Sequence, residues 1–594
     1  MLKKRFFVFF VFITVLCSLF PAFAQTTGGK CGENVNYMFD FDTGHLSISG
    51  MGNMRQYTKN SVAPWYSFRD EIVSVSIENG VTSIGDYSFF WCGSLNSVTI
   101  SSSVKTIGNS AFYNCDALTA VTIPEGVERI EDEAFQNCTG LEEVFISGSV
   151  KNIGKSAFYN CYISEEESEI GIESGLKKVV MEDGIETIGD YAFCMCENLN
   201  DITIPESVTS IGYWAFYNTG RYNEWWNGND DVLYIGSHLI TVSQSKSSAC
   251  DITDGTKTVA DYAFSACWYL PDITIPDSVV SIGSHAFDGC NSLKSIIIPQ
   301  SVKNIGECAF YTCFDLQSIN VDPNNSDYCS ENGVLYNKER TEMIRFPKEK
   351  QTASFTIPTG VTKIADGAFE NCQCLISITV PEGVTSIGNN AFENCDSLIN
   401  ITLPKSVETI GRRAFMNCSD LRSIIIPDGV PNIGESAFSG CSGLTSITIP
   451  KSVLIIGENA FEKCRKSIKV YYIGSKNNWK NITGTGKYVL NNVSITYLAP
   501  FTESTVVQQE NGAEVTVLQN LIPEESSIYV AGYDRQGRMT GVKTVPVSTE
   551  KQTVLIQGEV FVVRLFVWDQ HQSPVLSETE TIEKDEFQKS GNEA

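Results

Sequence analysis

The sequence predicts a β-rich repeat solenoid followed by a small all-β sandwich of immunoglobulin or fibronectin type. Three observations predict it. A phenylalanine phrase recurs, usually every 23 residues; a short alternating apolar run, usually ended by proline, precedes each phenylalanine; and longer alternating strands replace this pattern after Ala499-Pro500. At 594 residues the chain exceeds the ~250–300 at which one core stops growing, so an interior that lengthens with the chain is expected. With 42% hydrophobic and 19% charged residues, wholesale disorder is excluded.

Residues 1–24 read as a secretory signal. Lys3, Lys4 and Arg5 form a basic start, Phe6 to Phe20 an apolar run, and Ala22-Phe23-Ala24 a small-x-small cleavage site. Pro21 and that site cut the run short of a membrane span. Cleavage removes three cations and no acids, so the formal charge of −27 deepens to −30. A field of that sign repels phosphate backbones and anionic lipid, which excludes nucleic acid and argues against membrane partners.

Residues 25–71 carry strand-like runs and Gly-rich turns and are expected to cap the open end, because a bare end coil exposes core and sheet edge. The repeats fill 72–464. Fourteen phenylalanines mark them, from Phe89, Phe112 and Phe135 to Phe438 and Phe461, and ten of the thirteen intervals are 23 residues. Alanine precedes all but the first, and cysteine follows three later in all but one, where Thr219 stands. In the copy SLINITLPKSVETIGRRAFMNC, Leu398, Ile401 and Leu403 alternate into one core. Pro404 ends the strand because it has no amide to donate, and Val407 and Ile410 re-enter on a second short segment. A turn follows, glycine in most copies but Glu131, Ala260 or Ala365 in others, so a left-handed backbone is not required there.

Three insertions break the period. Residues 162–175 read as an acidic loop, and 320–352 (GVLYNKERTEMIRFP) as a β-hairpin. Residues 219–250 contain a similar pair of runs after RYNEWWNGNDD. Residues 465–500 read as a closing strand pair, 501–576 as the sandwich, and 577–594 as a disordered acidic tail.

The phrase LxxIxLPxxVxxIGxxAFxNC, repeated over about residues 72–464, resembles the BspA-like subclass of leucine-rich repeats found in bacterial surface and secreted proteins. It departs from the commoner leucine-rich pattern, with proline where asparagine or cysteine usually follows the strand and the cysteine later. The resemblance implies a leucine-rich-repeat solenoid and extracellular binding, and names no ligand.

Catalytic chemistry is not expected. Thirteen cysteines share one repeat position, where stacked strands put side chains about 4.8 Å apart. A disulfide wants Cβ atoms ~3.5–4.5 Å apart, so a ladder of buried thiols is expected. The off-register Cys31, Cys194, Cys250, Cys308, Cys329 and Cys374 are better placed for disulfides. Cys194/Cys196 and Cys372/Cys374 give only C-x-C, short of a structural zinc pattern, so neither metal nor cofactor is expected. The four histidines, His45, His238, His285 and His571, lie in separate segments and suggest no triad.

Binding residues are sought between the core positions of the strands. Thr99, Thr122, Thr203, Thr274, Thr379, Thr402 and Thr448 alternate with core residues and are expected to face outward as a ladder. Threonine also suits any strand face. Tyr222, Trp225 and Trp226 stand in a polar insertion, where adjacent indoles either stack on a sugar, anchor a protein, or pin their own loop. The expected function is a secreted or cell-surface binding or adhesion protein that engages extracellular protein or glycan. The alternative is a spacer presenting the C-terminal sandwich.

Overall fold

The computed structural model describes residues 25–164, 166, 174–350, 352–465, 467–474, 476–485 and 495–497, and strand backbones between 503 and 589. The signal segment and most of the acidic loop lie outside the described residues. The chain forms two compact units. One holds residues up to 269 with 274–289 and 301–309, and the other 270–273, 290–300 and everything from 310. Both are built of β-solenoid turns of roughly 23 residues, about 17 in all. Coils without the full phrase, in the cap and the hairpins, add to the fourteen that the phenylalanines mark.

In the first unit the N-terminal cap is an antiparallel meander of Thr26–Lys30, Val35–Asp40 and His45–Gly50. Its last strand pairs in parallel with Ser74–Ile77, and that with Ser97–Ile100. Trp65 closes the end of the core: it is buried, stacks on Phe89 at 5.6 Å, and its indole N–H donates to the Ser88 carbonyl at 2.8 Å.

Each coil then repeats the same three sides. Strands such as Ala120–Ile123 and Glu143–Ile146 pair in parallel and in register, one per coil. On the second side Ile84, Ile107, Ile130, Ile153, Ile188 and Ile211 occupy successive rungs of a narrower ladder. On the third side Phe112, Phe135 and Phe158 stack at centroid separations of 5.0 and 5.1 Å, with planes 4° and 3° apart. Registration at identical positions lets every core side chain meet its own kind one coil away, which a single coil cannot do.

Space, rather than φ, favours glycine at this turn. Its φ is not left-handed at Gly108, yet a Cβ there would lie 2.6 Å from an oxygen of Asp86 and 2.7 Å from its backbone nitrogen. The left-handed residues are those just before the alanine and two after the phenylalanine, as at Ser110 (φ +49°) and Asn114 (φ +58°). The second position explains the asparagine of the phrase. It tolerates the left-handed region, and its amide donates to the asparagine one coil back, Asn137 to Asn114 and Asn160 to Asn137, each at 3.0 Å.

The cysteine position has a hydrogen-bonding role that spacing alone did not reveal. Cys115, Cys138 and Cys161 are buried free thiols, and each donates to the phenylalanine carbonyl one coil back at 3.1–3.2 Å. Burial pushes the Cys115 and Cys161 thiols well up. The disulfides expected at off-register positions do not form: Cys31, Cys194, Cys250, Cys329 and Cys374 carry no bond to another sulfur. Cys31, Cys194 and Cys250 are buried, each in its own coil, and Cys329 donates to the Asn337 carbonyl at 3.3 Å.

The second unit repeats the plan. Ser377–Thr379 pairs with Asn400–Thr402, while Ile364, Ile387, Ile410, Ile433 and Ile456 form the narrow ladder. Phe369, Phe392, Phe415, Phe438 and Phe461 stack at 5.0–5.5 Å. The end is closed by Lys469–Ile473 and Ile495–Tyr497, which pair in parallel, with a short helix at Lys476–Asn481 that the sequence reading did not anticipate. Trp479 of that helix is buried against Tyr472 at 5.1 Å. Among the described residues, the strands beyond 502 pair only with one another, in two four-stranded sheets. Strand Pro574–Glu583 occupies part of the segment expected to be disordered from 577; β-branched Thr579, Thr581 and Ile582 favour it.

Candidate functional site

The threonine row is exposed but shorter than expected. Thr379 and Thr402 sit on neighbouring rungs with exposed side chains, and Thr99 and Thr122 are exposed on the end strands of two separate sheets. Between Thr122 and Thr203 the row carries Phe145 and Val180, an apolar pair. Thr448 is buried, at 3% exposure, against expectation. Its rung lies beside Tyr471 of the closing coil, a side chain large enough to cover a threonine one strand away.

The richer surface lies where insertion 219–250 interrupts the first unit. Thr219, at the cysteine position, does not reach back one coil. Its hydroxyl donates to the Phe216 carbonyl of its own coil at 2.9 Å and accepts from the Tyr222 amide at 3.2 Å. That second bond caps helix α1 (Gly220–Trp226), which a polar-insertion reading missed. At seven residues the helix is too short to persist alone, so burial must hold it. Trp225 supplies that burial at 8% exposure, whereas Trp226, next in sequence, is 66% exposed. One indole is thus packed into the fold and the other faces outward.

After the helix, Val232–Ile235 and His238–Val242 form the expected antiparallel hairpin. Helix, hairpin and the flanking coil turns enclose a cleft of about 520 Å³. Its aromatic walls include Trp214, Tyr217, Tyr222, Trp225, Trp226 and Tyr262. The rings touch in series: Trp214 to Tyr217 at 4.6 Å, Tyr217 to Tyr222 at 5.0 Å, and Tyr222 to Trp225 at 5.3 Å. Asn218, Asn223, Gln244, Thr241 and Ser265 supply amides and hydroxyls between them, and among the described residues Asp261 is the one charged side chain in the lining.

Trp214, Tyr217 and Tyr262 were not anticipated, though a signal existed. The residue before alanine is tyrosine or tryptophan in three successive phrase-bearing coils, Tyr191, Trp214 and Tyr262, where other copies carry serine, asparagine, glutamate, histidine, cysteine, glycine or arginine. Trp214 holds φ +53°, a region costly for a bulky side chain, and remains 46% exposed.

Burial raises the Asp261 carboxyl to about 6, against donation from the Ser284 amide at 2.7 Å; Asp190 pushes the same way and His285 opposes. Burial likewise lifts the phenols of Tyr222 and Tyr262 to about 12, so both stay neutral hydrogen-bonding groups. The indole N–H of Trp225 is buried and has no acceptor among the described residues. Among those residues no three His, Cys, Asp or Glu side chains gather to hold a metal.

A second buried polar group lies in the other unit. Arg345, at the end of the hairpin of insertion 320–352, pairs with Glu370 at 3.3 Å, and both side chains are nearly inaccessible. The Thr312 amide donates to the same carboxylate at 3.4 Å. Burial holds Glu370 above the usual carboxylate range, while Arg345 pulls it down. With no open face, this pair anchors the hairpin to the coils.

A family model described as the BspA type leucine rich repeat region, in six copies, matches residues 65–174, 172–250, 257–354 and 342–468. Among solved structures, the chain is 28% identical to a leucine rich cell surface protein from Faecalibacterium prausnitzii, covering 78% of this chain and 98% of that one at a TM-score of 0.39. A leucine-rich repeat protein from Bacteroides ovatus is 26% identical, with 71% and 94% covered and a TM-score of 0.25. No curated protein matches. No helix among the described residues is long and apolar enough to cross a membrane.

Proposed function

The chain belongs to the BspA-type leucine rich repeat family, and from that membership we propose that it is an exported, surface-associated binding or adhesion protein rather than an enzyme. The observation that carries the reading is how the residues are used. Thiols, asparagines and phenylalanines each take a partner from the neighbouring coil, the thiols a phenylalanine carbonyl, the asparagines an asparagine and the phenylalanines a ring, so the variable positions left for recognition lie on the outside of the coils. The exposed threonine rungs Thr379 and Thr402 and the aromatic cleft at α1 are the ligand-facing positions. Protein and glycan are the ligand classes that suit an extended, acidic, hydroxyl-bearing surface.

An array of immobilised glycans and matrix proteins tests this. Saturable binding that persists in a chain ending at residue 500 supports it, and no binding anywhere on the array refutes it. One observation favours a second reading. Among the described residues, the strands between 503 and 589 pair only among themselves, as those of a separate sandwich would, so the repeats could serve as a spacer presenting that module. Loss of all binding in the chain ending at 500 selects the spacer.

A further inference from the structure

We propose that the cleft between α1 and the coil turns of the first unit binds a neutral sugar ring, with Trp226 as stacking platform and the Trp225 indole N–H as donor to a sugar hydroxyl. The inference deepens the binding reading above and takes only the exterior location from it.

Four features of the cleft point to this ligand. First, its size, about 520 Å³, falls in the ~300–1,000 Å³ range of small-molecule sites. Second, its walls are mostly aromatic rather than aliphatic, and most of the Trp226 ring is open to solvent. A pyranose has an apolar C–H face that lies against an indole and a rim of hydroxyls that needs amide and hydroxyl partners; Asn218, Asn223 and Gln244 stand around the rings to supply them. Third, the Trp225 N–H is buried without an acceptor, an unmet donor of the kind that costs ~1–3 kcal/mol in a finished core. A bound hydroxyl would accept from it. Fourth, among the described residues no lysine, arginine or histidine lines the cleft, and its single charge is Asp261. An acidic sugar or a sulfate would meet a carboxylate inside and a net charge of −27 outside, with no cation to pair. A neutral ring meets no such penalty.

The cleft also has a structural origin. In the regular coils the phenylalanine amide donates to the alanine carbonyl one coil on, as Phe112 does to Ala134 at 2.7 Å. In this hairpin the residue making that bond is Val242, to Ala263 at 2.8 Å, and Val242 lines the cleft. A smaller side chain in an aromatic rung leaves room beside it.

The test titrates the protein with maltohexaose, cellohexaose, mannohexaose and chitohexaose, and with hyaluronan and heparin hexasaccharides, reading tryptophan fluorescence and saturation-transfer NMR. At least one neutral probe is expected to bind, and both acidic probes at least about tenfold more weakly. Trp226→Ala, at an exposed position that leaves folding intact, is expected to weaken the neutral probe at least about tenfold, as truncating an aromatic anchor does. Trp225→Phe keeps the packing, removes the N–H, and is expected to cost about three- to tenfold. The proposal is overturned if no neutral probe binds, if the acidic probes bind as tightly, or if Trp226→Ala leaves affinity unchanged. Retained capture of matrix proteins by Trp226→Ala alongside any of these results would overturn the sugar site alone and leave the adhesion reading standing.

Discussion

The two hairpins interrupt the coils at the same step of the repeat and treat the phenylalanine rung differently. The hairpin of insertion 320–352 puts Phe346 into it: the Phe346 amide donates to Ala368 at 2.8 Å, and its ring stacks on Phe369 at 5.3 Å. Its neighbour Arg345 is sealed against Glu370. The hairpin of insertion 219–250 puts Val242 there, and a cleft lined by aromatic rings opens beside it. The two grafts show that an interruption is not itself a site. Whether the graft restores the ladder decides whether the coil closes or offers a surface.

That comparison can be broken at several points. Arg345→Ala carries the largest expected effect, about 3–5 kcal/mol of stability at neutral pH, because it strands a buried carboxylate. Without its guanidinium partner Glu370 takes up a proton more readily, so the loss should shrink as pH falls; denaturant titrations at two pH values read both. Phe346→Val writes the first hairpin's residue into the second, and should cost about 2–3 kcal/mol through the cavity left beside Phe369, read as a lowered denaturation midpoint. Equal stability would show that the ring is not what closes that coil.

Asp261→Asn probes the open hairpin. The folded protein holds this carboxyl at about 6, above its ordinary 3.8, so the native state binds the proton more tightly than the unfolded chain between those values. Burial of Asp261 therefore costs stability fully above pH 6, and the cost fades as pH falls toward 4. Asparagine should stabilise by about 1–3 kcal/mol at pH 7.5 and by little at pH 4, in thermal melts at the two values. Smallest is Trp226→Ala, expected to change stability by no more than about 0.5 kcal/mol, since an exposed ring adds little to the core. A larger loss would recast Trp226 as a structural pin like Trp225.

The sequence made legible whatever repeats. Alternation in LINITL placed Ile401 and Leu403 inside, the phenylalanine spacing located the coils, and GVLYNKERTEMIRFP read as a hairpin. It left obscure what depends on a partner one coil away. The thiol of Cys138 finds the Phe112 carbonyl across 26 residues, and the turn glycine at Gly108 is favoured by the closeness of Asp86 one coil back rather than by its own φ. Helix α1 was missed because one capping threonine and seven residues are a weak local signal; Trp225 makes it stable through tertiary burial. The cleft was half legible. Tyr222, Trp225 and Trp226 stood out as an aromatic cluster in a polar stretch, whereas Trp214 and Tyr262 were masked by the regular phrase around them.

Hydroxyl-radical footprinting of the native protein, read residue by residue in a mass spectrometer, compares closed and open coils in one experiment. The ladder residues Phe112, Phe135, Cys115 and Cys138 should stay unoxidised until the protein is denatured, while Trp226 and Trp214 oxidise early, and a bound neutral hexasaccharide should slow Trp226. Oxidation of the ladder phenylalanines and thiols as fast as Trp226 would contradict a shared interior that opens only where a rung is missing.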